Sequence, residues 1–214
     1  MRLLFLDASR HWSGSSRAFA AAARGLAARG DSVTIVTGDD SPTQAGYAHD
    51  GVEVLGLAHG TSIARDAWRL RTVLKEKAIE TVFFHSEREH LVVSSAMRLG
   101  ERGALVRRVP AGGSATAGRS GKLADRMGTS RVLFATNFDG DRSGLGERAL
   151  VAPLGVDVAT AHDARAAARA GLGMNDATQL IVCVIDRVAP SSEMSNTRVI
   201  KFLCTVVDTC VTKI

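Results

Sequence analysis

The sequence predicts an α/β fold built on a doubly wound, mostly parallel sheet, and three observations carry that prediction. The run "RLLFLD" (Arg2 to Asp7) is continuously apolar up to its last residue, as befits a strand covered on both faces. A small-residue turn, an Ala-rich helical stretch and the β-branched run "SVTIVT" (Ser32 to Thr37) follow directly, so a complete β-α-β unit closes by Thr37. Such a unit makes its two strands parallel with a right-handed crossover. Strand-like runs then alternate with helical periodicity as far as Gly155.

Each element has its own signal. After "ASRHWSGSS", the stretch Arg17 to Arg29 reads as helix, with Ala18, Phe19, Ala22, Leu26 and Ala27 as its buried stripe. Gly30 suits the left-handed position that closes a helix. "GDDSPTQAGYAHDG" reads as loop from its Gly, Pro and Asp content, and "VEVLGL" as a third strand. Ile63 to Lys77 is amphipathic, with Ile63, Ala67, Leu70 and Leu74 inward and Arg65, Arg69, Arg71, Lys75 and Lys77 outward. "TVFFH" is a fourth strand, "LVVSSAMRLG" a helix ended by Gly100, and "ALVRRV" a fifth strand stopped by Pro110. "AGGSATAGRSG" reads as loop, Lys122 to Met127 as a short helix, "RVLFAT" as a sixth strand and "ALVAPLG" as a seventh. Asp163 to Gly173 is another Ala/Arg helix, and "QLIVCVI" opens a further strand.

From there the composition shifts, from Ala, Arg and Gly to Ser, Thr, Val and Cys. Two regions are therefore expected. Residues 1–177 form a Rossmann-like domain, and 178–214 form the fragmentary start of a second lobe or an aberrant tail.

Composition excludes several classes. In 214 residues, 45% apolar and 23% charged content fits a globular chain. No run approaches the roughly 18–20 apolar residues of a membrane span. Asp7 interrupts the N-terminal apolar run too early for a signal peptide, so a cytoplasmic location is expected, with peripheral contact at the inner membrane face. Cys183, Cys204 and Cys210 lack zinc-ligand spacing, and no metal site is expected. The net charge of +5 is uneven, with Arg98, Arg102, Arg107, Arg108, Arg119, Lys122, Arg126 and Arg131 facing only Glu101 and Asp125 in that stretch. Such a face suits an anionic membrane or phosphates. Aromatic residues, at 5%, are too sparse for a nucleic-acid stacking platform, so nucleic acid is not an expected partner.

Several motifs fail on spacing. "GRSGK" lacks the upstream glycine and the following Ser or Thr of a phosphate loop, because Thr116 and Leu123 hold those positions. Gly14 has no partner glycines for a dinucleotide fingerprint. "GSS" lacks the second glycine of a hydrolase elbow. "WSGSS" thus reads either as a ligand loop or as a plain strand-to-helix connection.

Read together, the first strand, the Gly/Ser turn, "LAARGDSVTIVT" (Leu26 to Thr37) and "VAPLGVDV" (Val151 to Val158) resemble a known family. They are similar to the N-terminal, acceptor-side domain of a family-4 (group 1) retaining glycosyltransferase of the two-lobed GT-B architecture. The resemblance spans about residues 1–185. It implies a single Rossmann-like lobe, a nucleotide-diphosphate sugar as donor substrate with no separate cofactor, and an unidentified acceptor.

It also implies roles for particular positions. Ser13, Gly14 and Ser15 take the place of the glycine-rich turn that approaches the donor phosphates or the transferred sugar, at a helix N-terminus suited to anions. His85 stands where the family carries a sugar-contacting histidine and is the catalytic candidate, with Glu87 beside it. Thr136 and Asn137 fall near the interlobe cleft, and Arg187 matches a cation that would hold the departing diphosphate. The sequence departs from the pattern at Ser13, where the family has glycine, and at Glu193, where a lysine belongs. The expectation is therefore an acceptor-binding half, truncated and inactive alone. A different class of reading is a non-catalytic module that binds anionic membrane or nucleic acid through the Arg-rich face.

Overall fold

A computed structural model describes residues 1–57, 62–100, 103–110, 118–128, 131–153, 165–167, 169–171 and 173. The chain divides into two units, Met1–Val156 and Asp157–Ile214. In the second, residues 165–167 and 169–171 are helical, within the span expected for the Ala/Arg helix. The expected boundary at 177/178, the strand "QLIVCVI", the three cysteines and Arg187 lie outside the described residues.

The first unit carries seven strands in one sheet: β1 (Arg2–Asp7), β2 (Ser32–Gly38), β3 (Val52–Leu57), β4 (Thr81–Phe84), β5 (Ala104–Val109), β6 (Arg131–Phe134) and β7 (Ala149–Val151). Their order is β3-β2-β1-β4-β5-β6-β7, and every pairing is parallel. This is the Rossmann-like, doubly wound sheet expected. Its order reverses between β1 and β4, and a crevice opens outside the strand ends at such a reversal.

Helices α1 (Gly14–Ala28), α2 (Gln44–Tyr47), α3 (Ile63–Glu76), α4 (Glu87–Arg98), α5 (Gly118–Gly128) and α6 (Asn137–Arg142) connect the strands. Alternation along the central strands feeds a core on each face, and Val109, Val132 and Phe134 of β5 and β6 form a third cluster. Leu4, Leu6, Val82 and Phe84 pack on Ala67, Leu70 and Leu74 of α3 and on Val92, Val93 and Ala96 of α4. Phe5, Val33 and Ile35 face the other way, onto Phe19, Ala20 and Ala23 of α1 and onto Tyr47. Each of the Leu, Val, Ile and Phe side chains, fully buried, stabilises the fold by about 1.5–3 kcal/mol, the alanines by less.

Side-chain caps explain where helix limits differ from expectation. Ser13 accepts a hydrogen bond from Ser16 N, so α1 begins at Gly14 rather than Arg17. Its buried stripe is Ser16, Phe19, Ala20 and Ala23, and Ala22 is exposed. Ser86 and Glu89 form a reciprocal capping box that starts α4 at Glu87, four residues before Leu91. Gly30 has φ of 88°, and the turn it makes lets Asp31 N reach Leu26 O at 3.1 Å. Two arginines cap neighbouring helix ends. Arg71 Nε donates to Leu99 O at 2.8 Å, and Arg98 donates to Met127 O at 3.2 Å and Arg126 O at 3.0 Å. No described helix is long and apolar enough to cross a membrane.

Candidate functional site

The switch point between β1 and β4 places Asp7, the last residue of β1, beside His85, the first residue after β4. His85 Nε2 lies 3.1 Å from Asp7 Oδ1, and His85 Nδ1 lies 3.3 Å from Glu89 Oε2. The imidazole thus sits between two carboxylates that are themselves buried, Asp7 at 0% and Glu89 at 2% exposure. Phe19 closes one side, with its ring centroid 5.4 Å from that of His85.

Backbone and hydroxyl donors hold both acids in place. Asp7 accepts from Ser9 N at 3.0 Å and from the Tyr47 hydroxyl in a short hydrogen bond, and Ser16 also bonds to it. Glu89 accepts from Ala8 N at 2.7 Å, Ser86 N at 2.8 Å and His85 N at 3.1 Å. One carboxylate therefore ties the β1–α1 turn to the β4–α4 turn.

The electrostatics follow from these contacts. Burial pushes the Asp7 carboxyl upward, but hydrogen bonds from His85, Ser9, Tyr47 and Ser16 outweigh it and hold the group well below the ordinary carboxylate range. Burial pulls His85 downward, while its bond to Asp7 and the charges of Glu89 and Asp7 raise it above its ordinary value. Burial and the bond to Asp7 raise Tyr47 far above an ordinary phenol. Two flanking carboxylates therefore favour the imidazolium form of His85 and fix the ring's orientation.

The first turn of α1 flanks this network. Ser13 Oγ caps Ser16 N at 3.1 Å and lies 3.1 Å from Ser16 Oγ. The helix itself offers no partner to the N–H groups of Gly14 and Ser15. Arg108, reaching across from β5, donates to Ser15 Oγ at 3.2 Å. A Cβ built on Gly14 meets nothing within 4 Å, so no neighbouring atom in the fold requires glycine there.

Asp7, His85 and Glu89 also offer ligand atoms within 4.8 Å of one another, close enough for a metal ion. Their donor set argues against that use. Both ring nitrogens face carboxylates, which favours the imidazolium form that has no lone pair to give, and Glu89 is filled by three N–H groups.

Among the sequence candidates, Ser13, Gly14, Ser15 and His85 come together at this crevice, joined through Ser16 and Asp7. Glu87 opens α4, but the carboxylate facing His85 is Glu89, two residues on. Thr136 caps α6 by accepting from Asp139 N at 3.1 Å, with Asn137 as the first helical residue, two strands away from β4 along the sheet. Asp7, Tyr47, Ser16 and Glu89 complete the site and were not singled out for it by sequence, although Ser86-x-x-Glu89 is a legible capping pattern, and Arg108 was picked out only as part of the basic face.

The basic residues of 98–131 divide. Arg107 is buried, Arg108 points to α1, Arg98 caps α5 and Arg131 binds Glu147 O, while Lys122 and Arg126 are exposed.

No protein-family model and no curated protein matches the sequence. Solved structures do. HepE of Anabaena, crystallised with UDP and glucose, superposes with a TM-score of 0.62 at 16% identity, over 81% of this chain and 50% of that one. A glycosyltransferase from Rickettsia africae gives 0.61 at 13% identity, over 82% and 50%. The lipopolysaccharide outer core galactosyltransferase WaaB, in its apo form, gives 0.59 at 11% identity, over 74% and 47%. The chain thus has a fold shared with glycosyltransferases and spans about half the length of these structures.

Proposed function

We propose that this chain is the acceptor-side half of a retaining, family-4-type glycosyltransferase that draws on a nucleotide-diphosphate sugar. The observation that carries the reading is the junction at the sheet's switch point. There the α1 N-terminal turn, with two N–H groups that the helix leaves unpaired, shares a hydrogen-bond network with an oriented His85 imidazolium. HepE, whose fold is similar, is described in complex with UDP-glucose, which supports the substrate class.

In this reading the Ser13–Ser15 turn and Arg108 offer N–H groups and a cation to the donor phosphates. Both ring N–H groups are held by Asp7 and Glu89, so the ring's remaining C–H edge presents the imidazolium's positive charge to a hydroxyl oxygen of the transferred sugar. The reaction breaks the bond between the sugar anomeric carbon and the phosphate oxygen. A new bond forms from that carbon to the acceptor oxygen, the diphosphate leaves with the bonding pair, and it receives the acceptor's proton. The diphosphate's developing charge calls for further cations, and the sequence has Glu193 where the family has lysine. The chain alone therefore binds donor weakly and does not turn it over.

Saturation-transfer NMR with UDP-glucose, GDP-mannose and ADP-glucose tests this on the 214-residue chain. Enhancement on at least one of the three, with no release of nucleoside diphosphate, is the expected result. Absence of binding by all three overturns the substrate class, and steady turnover by the chain alone overturns the half-enzyme reading.

A further inference from the structure

We infer that Trp12 is a stacking platform for a pyranose ring of the acceptor, so that the acceptor is itself a saccharide. This rests on the glycosyltransferase reading above and names the substrate class on its acceptor side.

Trp12 lies in the connection between β1 and α1, one residue before the α1 cap, and is 38% exposed. Its indole is fixed from beneath. A Cβ on Gly46 would stand 2.5 Å from its six-membered ring, so only glycine admits the indole where it lies. Tyr47 meets it edge-on, with centroids 5.0 Å apart and planes at 72°. Tyr47 is in turn held by Asp7. An exposed aromatic surface whose rotamer is already set loses little entropy when a ligand covers it.

The neighbouring loops are polar rather than apolar, with Arg10 and His11 exposed directly before Trp12. A Cβ on Gly56 would come within 2.9 Å of Asp39 Oδ1 and 3.0 Å of Gln44 Nε2, so these two groups lie together over β3, with Gln44 two positions from Gly46. Asp39 and Asp40 are exposed at the end of β2. Ser41 Oγ donates to Ser9 O at 3.3 Å, which ties this loop to the one bearing Trp12. A flat, exposed indole of fixed orientation, on a loop tied to the polar loop after β2, matches a sugar ring. The C–H face of a pyranose lies on the negative π-face, and its equatorial hydroxyls reach the polar rim.

The test uses the full chain with Trp68→Phe, which leaves Trp12 as the one fluorophore of the chain's two tryptophans. Cellotriose, maltotriose and chitotriose are titrated, with Trp12 emission and saturation-transfer NMR as readouts. A saturable response to at least one trisaccharide is expected. Trp12→Ala should weaken that binding about tenfold or more, Trp12→Phe should keep most of it, and nucleotide-sugar binding should hold in both. Unchanged trisaccharide binding by Trp12→Ala overturns the platform and leaves the glycosyltransferase reading standing. Failure of all three trisaccharides to bind, while a nucleotide sugar still does, overturns the saccharide acceptor. Failure of the nucleotide sugars as well would defeat the reading beneath both.

Discussion

Asp7 ends β1 and His85 directly follows β4, strands distant in sequence and adjacent in the sheet, and their side chains meet at 3.1 Å across the point where strand order reverses. The imidazole is 13% exposed and the carboxylate is wholly buried. Neutralising Asp7 leaves the buried ring with Glu89 alone and gives the donors of Ser9 and Tyr47 an amide in place of a carboxylate. Asp7→Asn should therefore cost about 3 kcal/mol of stability, measured by urea unfolding near pH 6.

The same pair sets a pH signature. Asp7 is depressed in the fold, so its contribution is present above its ordinary value of about 4 and is lost as pH falls through the lower folded value. His85 is raised, so its contribution is full below about 6.5 and is lost as pH rises through its higher folded value. The stability gap between the parent chain and Asp7→Asn should be widest between about pH 4 and 6.5 and narrow on either side. A gap that stays flat across the range would sink the ion-pair account.

Glu89→Gln tests the second carboxylate. Its oxygens accept three backbone N–H groups, and a glutamine must turn its NH2 toward one of them, donor against donor. A loss of about 2 kcal/mol is expected, together with a fall in the His85 pKa by NMR titration. An unchanged His85 titration would show that Glu89 does not act on the ring.

Arg98→Ala should cost about 1 kcal/mol, because it removes both donors from the last carbonyls of α5. Amide exchange should accelerate in α5 and not in α1. Equal acceleration in both would mean global destabilisation instead of a lost cap.

Gly103→Ala should lose about 1–3 kcal/mol in thermal denaturation. The new Cβ would stand 2.9 Å from Glu80 O, and that carbonyl is fixed by its bond from Ala104 N at 2.8 Å. A neutral Gly103→Ala would mean that the β4–β5 junction yields more than its bonding implies.

β1 and β5 were legible because burial on both faces leaves no polar alternation to misread, and the half-exposed edge strand β3 was bounded by the loop formers before it; all three have the limits expected from sequence. Helix starts were less so, since hydrophobic periodicity begins inside a helix while Ser13 and Ser86 set its first residue. His85 and the Ser13–Ser15 turn could be placed near one another from sequence because strand ends and helix starts lie at the crevice. Asp7 read as the polar end of a strand, and Tyr47 lay in a stretch dominated by loop formers, so neither disclosed a partner at long range. Glu89 was passed over for Glu87 because only the helical register shows which of the two turns back toward His85.

Gly14→Leu tests the central claim most directly. A side chain at Gly14 meets open space within the fold, and its φ lies outside the left-handed range, so stability should hold or rise slightly. The same side chain would stand over the N–H groups assigned to the donor phosphates. The account predicts an unchanged or higher Tm with loss of nucleotide-sugar binding in saturation-transfer NMR. Binding that survives at the parent level in a folded Gly14→Leu chain would contradict it.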